Sequence, residues 1–455
     1  MVQYLSKRAR RSWRRVINPT QMIVLAFMAI ILIGASLFTL PIATQSGKSA
    51  GFLNALFTAT SATCVTGLVV VDTNSYWNLF GQGVILALIQ CGGLGFMSIA
   101  TIFSFLVRRT ITLRELIMMS QSLNTDEISG IVRLTKRVLI WTFMFEGIGA
   151  FILSIRFARD FGIQGGIIRG VFHAVSAFCN AGFDLIGTEH NQFVSLTQYV
   201  NDPTVNFCIM ALIIIGGLGF FVWGNIYHRR SFRKLEVQSK LALVLTAILL
   251  LSGTILFLLF EWNNPETLGN LPWWQRIMAA MFQSTTTRTA GFNTISQGGM
   301  TVSSKFLSIL LMFIGGSPGS TAGGIKTVTF AVLVLTAFGI MRGKNEINTF
   351  GRRISTRQIL NALTISFGML TLVIGGVMVL TTVQNIPLVD AMFETASAIG
   401  TVGLTTGITT TLIPISKITL ILLMFFGRVG FLTISLGLLL HQEKQVRIRY
   451  PVGKI

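Results

Sequence analysis

The sequence predicts an all-α polytopic membrane protein built from four fused helix–P-loop–helix repeats around one pseudo-four-fold pore. Three observations predict this fold: an apolar composition, positive charge grouped in alternate loops, and a glycine that recurs four times in a similar setting. Of the 455 residues, 52% are hydrophobic, and the mean hydropathy is +0.70. Several stretches reach the roughly 20 apolar residues that a spanning helix needs, so the composition excludes an ordinary soluble domain.

The recurring glycines are Gly67, Gly182, Gly291 and Gly403, which follow one another at nearly constant intervals. They lie in the segments TSATCVTGL, VSAFCNAGF, STTTRTAGF and ASAIGTVGL. Four equivalent loops in one chain can surround one axis, and a ring of their carbonyl oxygens can replace the water shell of a cation. The recurrence therefore predicts a cation pore.

Each repeat is predicted to contain a spanning helix, a short re-entrant helix and a second spanning helix. The first spanning helices are predicted at 20–40, 137–155, 241–260 and 359–383. The re-entrant helices are predicted at 51–62, 166–177, 273–285 and 388–398, and their length of about 12 residues is too short to cross a bilayer. The second spanning helices are predicted at 79–107, 205–227, 306–338 and 415–440. Together these give eight transmembrane helices and four re-entrant pore helices.

These elements divide the chain into six predicted segments. A basic cytosolic N-terminus (1–19) precedes repeats at 20–110, 111–235, 236–345 and 346–440, and a cytosolic tail (441–455) follows them. Only the third repeat is predicted to have a broken inner helix. The N-terminus resembles a signal peptide, but its apolar run is long enough to span, so we interpret it as a retained first helix.

The net charge of +20 reflects orientation and does not indicate a nucleic-acid partner. Lysine and arginine cluster before the first repeat, in the loops between repeats and after the last one. This alternation follows the positive-inside rule and predicts that both termini are cytosolic. The four glycine loops would then open on the outer side of the bilayer.

The residues beside each glycine indicate how the ring would bind a cation. They differ between repeats while the glycine does not, which favours a site built from backbone, because glycine adopts positive φ at low cost. The alternative is that these glycines serve close helix packing. The occurrence of all four in register argues against this alternative. The predicted filter comprises Val65, Thr66, Gly67, Asn180, Ala181, Gly182, Thr289, Ala290, Gly291, Thr401, Val402 and Gly403.

A glycine-rich stretch interrupts the second helix of the third repeat. Proline breaks helical hydrogen bonding, and unwound backbone at membrane depth is tolerated where it lines water or is buried by protein. We interpret this stretch as a gate below the filter, with Arg428 holding it through carbonyls or hydroxyls and Lys326 forming a positive barrier. Snorkelling toward the interface is the alternative for both cations. The gate comprises Gly315, Gly316, Ser317, Pro318, Gly319, Ser320, Thr321, Ala322, Gly323, Gly324, Lys326 and Arg428.

Other site classes are disfavoured. A phosphate loop would need lysine directly after its glycine, but Ile325 separates Gly324 from Lys326, and no strand precedes it. The four cysteines form no CxxC pair, which argues against zinc or a disulfide framework. A membrane-embedded enzyme lacks a recognisable acid–base or nucleophilic motif. The role of Glu146 stays open between a partner for a basic residue and a proton or ion site.

The four glycine segments, together with the run 315–326 and Phe426-Gly427-Arg428-Val429-Gly430, resemble the Trk/Ktr/HKT superfamily of potassium transporters. Within it, the chain is most similar to the membrane subunit of the bacterial Ktr system. The resemblance implies potassium uptake across a bacterial cell membrane, with potassium bound at the filter and sodium as an alternative transported or coupling ion. A sodium- or proton-coupled symporter is the alternative mechanism.

The resemblance also implies the partners. It predicts a homodimer in the lipid bilayer, regulated by a separate cytosolic ring of nucleotide-binding RCK subunits. No cofactor is expected on this chain, and nucleotide is expected only on the partner. No nucleic-acid partner is expected.

Overall fold

The computed structural model describes residues 19–95, 131–344 and 346–430. Within them, the order of a long helix, a short helix, an irregular loop and a second helix occurs four times. The predicted N-terminus, much of the loop between the first two repeats, and the chain after 430 lie outside the described residues. The ends of the helices predicted at 79–107 and 415–440 fall there too.

The long first helices are Pro19–Thr39, Ile131–Phe178, Val237–Glu261 and Thr356–Gln384. They contain the four stretches of the described residues that are long and apolar enough to cross a membrane. In the second repeat, the second helix consists of Pro203–Leu218 followed by Phe220–Arg229, and this bent pair is a fifth candidate if it forms one span. The count of eight spanning helices therefore stays a prediction.

The short helices are Phe52–Thr63, the C-terminal part of Ile131–Phe178, Trp273–Thr286 and Leu388–Gly400. In the second repeat the first and short helices are joined without a loop, at Gly162, whose φ is 72° and ψ is 171°. The chain turns back on itself there: a Cβ on Gly166 would lie 2.5 Å from Ala158 Cα. This turn needs no separate connection, so the predicted gap between the two helices was wrong.

The second helices are Leu79–Leu94, Pro203–Leu218 with Phe220–Arg229, Val302–Phe313 with Thr327–Met341, and Pro414–Val429. The expectation that only the third repeat has a broken inner helix was wrong. In the second repeat the two halves meet at 88°. The break lies at Gly219, whose φ of 90° is incompatible with a continuing helix. The helices of the first and fourth repeats end at Gly95 and Gly430, with φ values of 80° and 92°.

A second set of glycines packs each repeat together. Gly34, Gly149, Gly253 and Gly376 lie in the four first helices. A Cβ at these positions would lie 2.7, 2.7, 3.1 and 2.8 Å from a leucine Cδ1 of the second helix of the same repeat. Those leucines are Leu88, Leu212, Leu311 and Leu423. Small residues let helix backbones approach closely in membranes, so these glycines hold the long helices against the core.

One short hairpin departs from the all-α prediction. Asn348–Thr349 pairs antiparallel with Arg352–Arg353, between the third and fourth repeats. Phe350 lies at its tip, and its ring contacts Phe232 edge-on at 6.4 Å. The hairpin is short, and its two strands consist of polar residues.

Candidate functional site

The four glycine loops share one backbone conformation. Positive φ occurs two residues before each glycine, at Val65, Asn180, Thr289 and Thr401, with values of 57°, 59°, 69° and 50°. The glycines themselves have φ values of 89°, 70°, 82° and 94°. Non-glycine residues seldom adopt this region, so four occurrences in register mark a shared local structure. The sequence analysis identified the glycines but did not predict the positive φ of the residue two positions before each of them.

The short helices fix the direction of the peptide groups in these loops. In the first repeat, Thr66 N donates to Ser61 O at 2.8 Å and Gly67 N donates to Ser61 Oγ at 3.1 Å. A trans peptide points its C=O away from the N–H of the same unit, so the carbonyls of Val65 and Thr66 face away from the short helix. The same helix-directed bonds join Ala181 N to Ser176 O, Ala290 N to Thr286 O and Val402 N to Ser397 O, at 2.7, 2.9 and 2.8 Å.

The four loops meet in a closed ring. A Cβ on Gly67 would lie 3.2 Å from Gly182 Cα, and one on Gly182 would lie 2.8 Å from Gly291 Cα. A Cβ on Gly291 would lie 3.3 Å from Gly403 Cα, and one on Gly403 would lie 2.9 Å from Gly67 Cα, which closes the ring. Any side chain larger than glycine would press on the backbone of the next repeat. The ring is therefore built from backbone.

Carbonyl oxygens line the joints of this ring. A Cβ on Gly182 would lie 2.6 Å from Ala290 O, and one on Gly291 would lie 2.5 Å from Val402 O. Thr66 O and Ala181 O occupy the equivalent positions at the other two joints. Among the described residues, no donor forms a hydrogen bond to these four carbonyls. Four carbonyls without protein donors, at the centre of an apolar protein, can bind a dehydrated cation.

The short helices add an electrostatic contribution to this chemistry. They end at Thr63, Phe178, Thr286 and Gly400, immediately before the loops. Their C-terminal ends therefore point toward the ring, and the negative end of a helix dipole favours a cation within about one turn.

The irregular stretch between Val302–Phe313 and Thr327–Met341 contains all the predicted gate residues except Arg428 and folds back on itself. Gly315 N donates to Ile325 O at 2.9 Å, and Thr327 N donates to Gly316 O at 3.0 Å. These bonds bring the two ends of the stretch side by side and leave the residues between them as a loop. We call residues 315–324 the intramembrane loop.

The intramembrane loop docks on the break in the second repeat. Ser317 N donates to Gly217 O and Phe220 N donates to Gly319 O, both at 2.9 Å. Phe220 begins the half-helix that follows the 88° bend. The two breaks thus satisfy each other's backbone groups, as buried irregular backbone requires.

The intramembrane loop also contacts the ring-forming loops. Thr321 Oγ1 donates to Phe178 O at 3.1 Å and to Asn180 Oδ1 at 3.3 Å. A Cβ on Gly323 would collide with the side chain of Thr401. The loop therefore lies against the second and fourth glycine loops with no room between them.

Arg428 bridges the intramembrane loop and the first repeat. Its Nη1 donates to Thr321 O, and its Nη2 donates to Gly92 O and, at 3.2 Å, to Gly93 O. Lys326, two residues after the loop, donates its Nζ to Ala322 O within the loop at 2.6 Å. The loop thus contacts the second and fourth repeats directly and is connected to the first through Arg428, whereas the sequence had indicated only the third and fourth.

Sequence reasoning missed a third set of glycines, which supports the ring from behind. Gly92, Gly216 and Gly427 lie near the ends of the second helices, just before the glycine breaks. A Cβ at these positions would collide with the carbonyls of Thr63, Phe178 and Ile399, near the ends of the short helices. The recurring GGLG, GGLG and GRVG strings at 92–95, 216–219 and 427–430 could have revealed them.

Glu146 is buried behind the second glycine loop. Gln90 Nε2 donates to both of its carboxylate oxygens at 3.1 Å, and Cys179 Sγ lies 3.8 Å from Oε1. No basic side chain forms an ion pair with it among the described residues. Its structural role is to connect the first and second repeats.

The acidic residues near the predicted outer mouth are held by local partners. Asp72 caps the short turn Thr73–Tyr76 and accepts from Phe193 N at 2.9 Å. Glu394 accepts from Thr409 Oγ1 at 2.9 Å, and Asp390 pairs with Lys305 at 3.3 Å. Asp72 therefore serves as a helix cap, while the carboxylates of Glu394 and Asp390 are each bound by a side chain of the protein.

Comparison with known proteins places this architecture in a family. Residues 2–448 match the family model of TrkH, described as a cation transport protein. The chain is 41% identical to the potassium/sodium uptake protein NtpJ of Enterococcus hirae, over 97% of this chain and 98% of that one. It is 40% identical to the Ktr system potassium uptake protein B of Bacillus subtilis, over 96% of both chains.

The fold has a known relative as well. The crystal structure of the potassium transporter TrkH from Vibrio parahaemolyticus matches with a TM-score of 0.72 at 17% identity, over 92% of this chain and 84% of that one. The resemblance inferred from the glycine segments is thereby confirmed, and the apolar helices accord with a protein that crosses the membrane several times. The chain belongs to the TrkH family of cation transport proteins.

Proposed function

We propose that this protein takes up potassium through the carbonyl ring formed by its four glycine loops. The observation that carries the proposal is the closed backbone ring, with four carbonyls that accept no hydrogen bond from any residue the structure describes. Selection would come from the carbonyls at Val65, Thr66 and Gly67 and at their equivalents in the other repeats. Backbone carbonyls suit a weakly hydrated monovalent cation, which must enter and leave readily.

The intramembrane loop is proposed as the gate. It lies against the second and fourth glycine loops and is fastened by Arg428, so a cation leaving the ring would meet it next. Displacement of the loop would require Arg428 to release the Thr321 carbonyl. Lys326, held at the Ala322 carbonyl, would place a positive charge near the same path and slow cations while the loop is in place.

The Ktr relative supports a proposal about assembly. Its name describes one protein of a potassium uptake system, so we extend the proposal to a homodimer in a bacterial cell membrane, regulated by a cytosolic RCK ring that carries the nucleotide. Both termini would lie on the cytosolic side. Pull-down of a nucleotide-binding ring subunit with the detergent-solubilised protein tests this part separately.

A second candidate function is a sodium-coupled potassium symporter. The observation that favours it is the 41% identity to a protein named for both potassium and sodium. Tracer flux of potassium into liposomes, with and without an inward sodium gradient at fixed voltage, distinguishes the two. Sodium-driven accumulation beyond the electrical limit would favour the symporter.

The experiment that tests the leading proposal is flux in liposomes that contain only this protein. Gly67→Ser and Gly291→Ser should each reduce the ratio of potassium to sodium flux, because the added side chain presses on the neighbouring loop. Unchanged selectivity in both variants, with normal protein content, would refute the filter assignment.

A further inference from the structure

Arg288 occupies an unusual position beside the ring. It lies three residues before Gly291, where the other repeats have Cys64, Cys179 and Gly400. The third repeat is thus alone in placing a long cationic side chain behind its glycine loop. Among the described second helices, the third is also the one whose halves are separated by a long loop.

The guanidinium of Arg288 is buried, and 7% of the residue is exposed. No carboxylate lies within ion-pair distance of it in the part of the chain that the structure describes. A buried charge must be compensated by dipoles if it has no counter-ion. The C-terminal end of the short helix Trp273–Thr286 contributes to this compensation, because Arg288 lies two residues after that end.

The remaining compensation comes from two backbone carbonyls on different elements. Nη2 donates to Gly315 O at 3.2 Å, and Nη1 donates to Thr246 O at 3.4 Å. Gly315 is the first residue of the intramembrane loop, while Thr246 lies within the long first helix Val237–Glu261. The side chain of Arg288, in the third glycine loop, is therefore hydrogen-bonded to both the intramembrane loop and the long first helix of the third repeat.

The neighbouring repeat is bonded to the same residue through its backbone. Asn180 Nδ2 donates to Arg288 O at 3.4 Å and to Thr289 Oγ1 at the same distance, while Asn180 Oδ1 accepts from Thr321 Oγ1 at 3.3 Å. The start and the middle of the intramembrane loop are thus both connected to the junction of the second and third glycine loops. A movement of the loop changes the contacts of this junction.

We propose that Arg288 is a positioning residue that couples the intramembrane loop to the carbonyl ring. Its guanidinium holds the start of the loop in register with the third glycine loop, so that displacing the loop loosens the ring on that side. The expected consequence, that gating and selectivity change together, rests on the proposed function. The mechanical link itself does not depend on which ion is transported.

The test is amide hydrogen exchange of the purified full-length protein, read over peptides that cover the intramembrane loop and the adjoining Ile325. Arg288→Gln removes the charge and one of the two hydrogen bonds of the guanidinium. It should speed hydrogen exchange at the amides of Gly315 and Ile325 by about tenfold, the scale expected for losing one charge-assisted hydrogen bond. Arg288→Lys keeps the charge but cannot reach both carbonyls, so it should give an intermediate rate.

Arg276→Gln is the matched control. Arg276 lies on the same short helix, at the end away from the ring, and also donates to backbone carbonyls, those of Leu271 and Gly269 at 2.7 Å and of Trp262 at 3.0 Å. Its guanidinium also lies over the indole ring of Trp262, 4.8 Å from the ring centroid. Its loss should leave exchange in the intramembrane loop unchanged.

The outcomes separate coupling from general stabilisation. Faster exchange confined to the loop, with a lower ratio of potassium to sodium flux in liposomes, supports the proposal. Unchanged loop exchange in folded Arg288→Gln, or equal acceleration in the short helix Phe52–Thr63 of the first repeat, overturns it. If Arg288→Gln does not fold, Arg288→Lys decides between the same two results. If the wild type transports no potassium, the proposed function fails, while exchange still reports the link.

Discussion

Replacing Gly403 by alanine perturbs the carbonyl ring with a single methyl group. Gly403 has a φ of 94°, a region that costs a residue with a side chain about 1–2 kcal/mol. The new Cβ would lie 2.9 Å from Gly67 Cα and 3.1 Å from Gly67 C. Non-bonded carbon atoms prefer about 3.5–4.0 Å, and the same Cβ would also collide with Thr66 O. The joint between the fourth and first repeats must therefore widen by roughly an ångström.

Widening one joint should lower selectivity, because the carbonyls then fit a dehydrated cation less well. A loss of ~1.4 kcal/mol in the preference for one cation over another lowers their flux ratio about tenfold. The assay is competitive potassium and sodium flux in liposomes, normalised to the amount of folded protein. We expect Gly403→Ala to lower the ratio of potassium to sodium flux by on the order of tenfold.

Gly407→Ala is the control that isolates the ring contact. Gly407 also has a positive φ, 104°, but nothing lies within 4 Å of a Cβ added there. Both variants should therefore incur the strain of a positive φ, but only Gly403→Ala adds a backbone clash and should lose selectivity. The reasoning is refuted if Gly403→Ala keeps the wild-type ratio, or if Gly407→Ala lowers it equally.

Three further predictions follow from the packing and the loop. Gly376→Leu should lower the melting temperature, because overpacking costs about 1–3 kcal/mol, whereas Gly375→Leu should not, since nothing lies within 4 Å of a Cβ there; equal melting temperatures would contradict the packing account. Arg428→Gln should raise potassium flux in the absence of any partner, because the Thr321 carbonyl loses its charged donor; unchanged or lower flux per folded molecule would contradict its holding role. Thr321→Val should raise flux in the same assay by removing the two hydrogen bonds of the hydroxyl, while Ser320→Ala, whose hydroxyl has no partner among the described residues, should not; equal effects would argue against the loop contact.

The sequence predicted much of the ring because its chemistry is local. Glycine is needed where φ is positive and backbone approaches backbone, and both requirements recur in register. The conformation of Val65 and its equivalents could not be predicted, because three of the four residues are β-branched and disfavour positive φ, and Asn180 alone is of a type that adopts it more often. It is imposed by hydrogen bonds from the loop to the short helix.

The contacts of the intramembrane loop were less accessible to sequence reasoning. Proline and glycines at 315–324 marked irregular backbone, and Arg428 was expected to hold it. The hydrogen bonds from the Arg428 guanidinium to the carbonyls of Gly92 and Gly93 depend on tertiary packing between the first and fourth repeats. The break at Gly219 was missed because its GGLG string was interpreted as part of a continuous apolar helix, although the same string recurs at 92–95.

The central claim is that cations bind the carbonyl ring, and the most direct measurement is the position of a heavy potassium analogue. Crystals or cryogenic grids of the protein prepared in rubidium or thallium should show the ion within the ring, coordinated by carbonyls next to Gly67, Gly182, Gly291 and Gly403. An ion bound elsewhere along the pathway, with the ring empty in a preparation that transports potassium, would contradict the account.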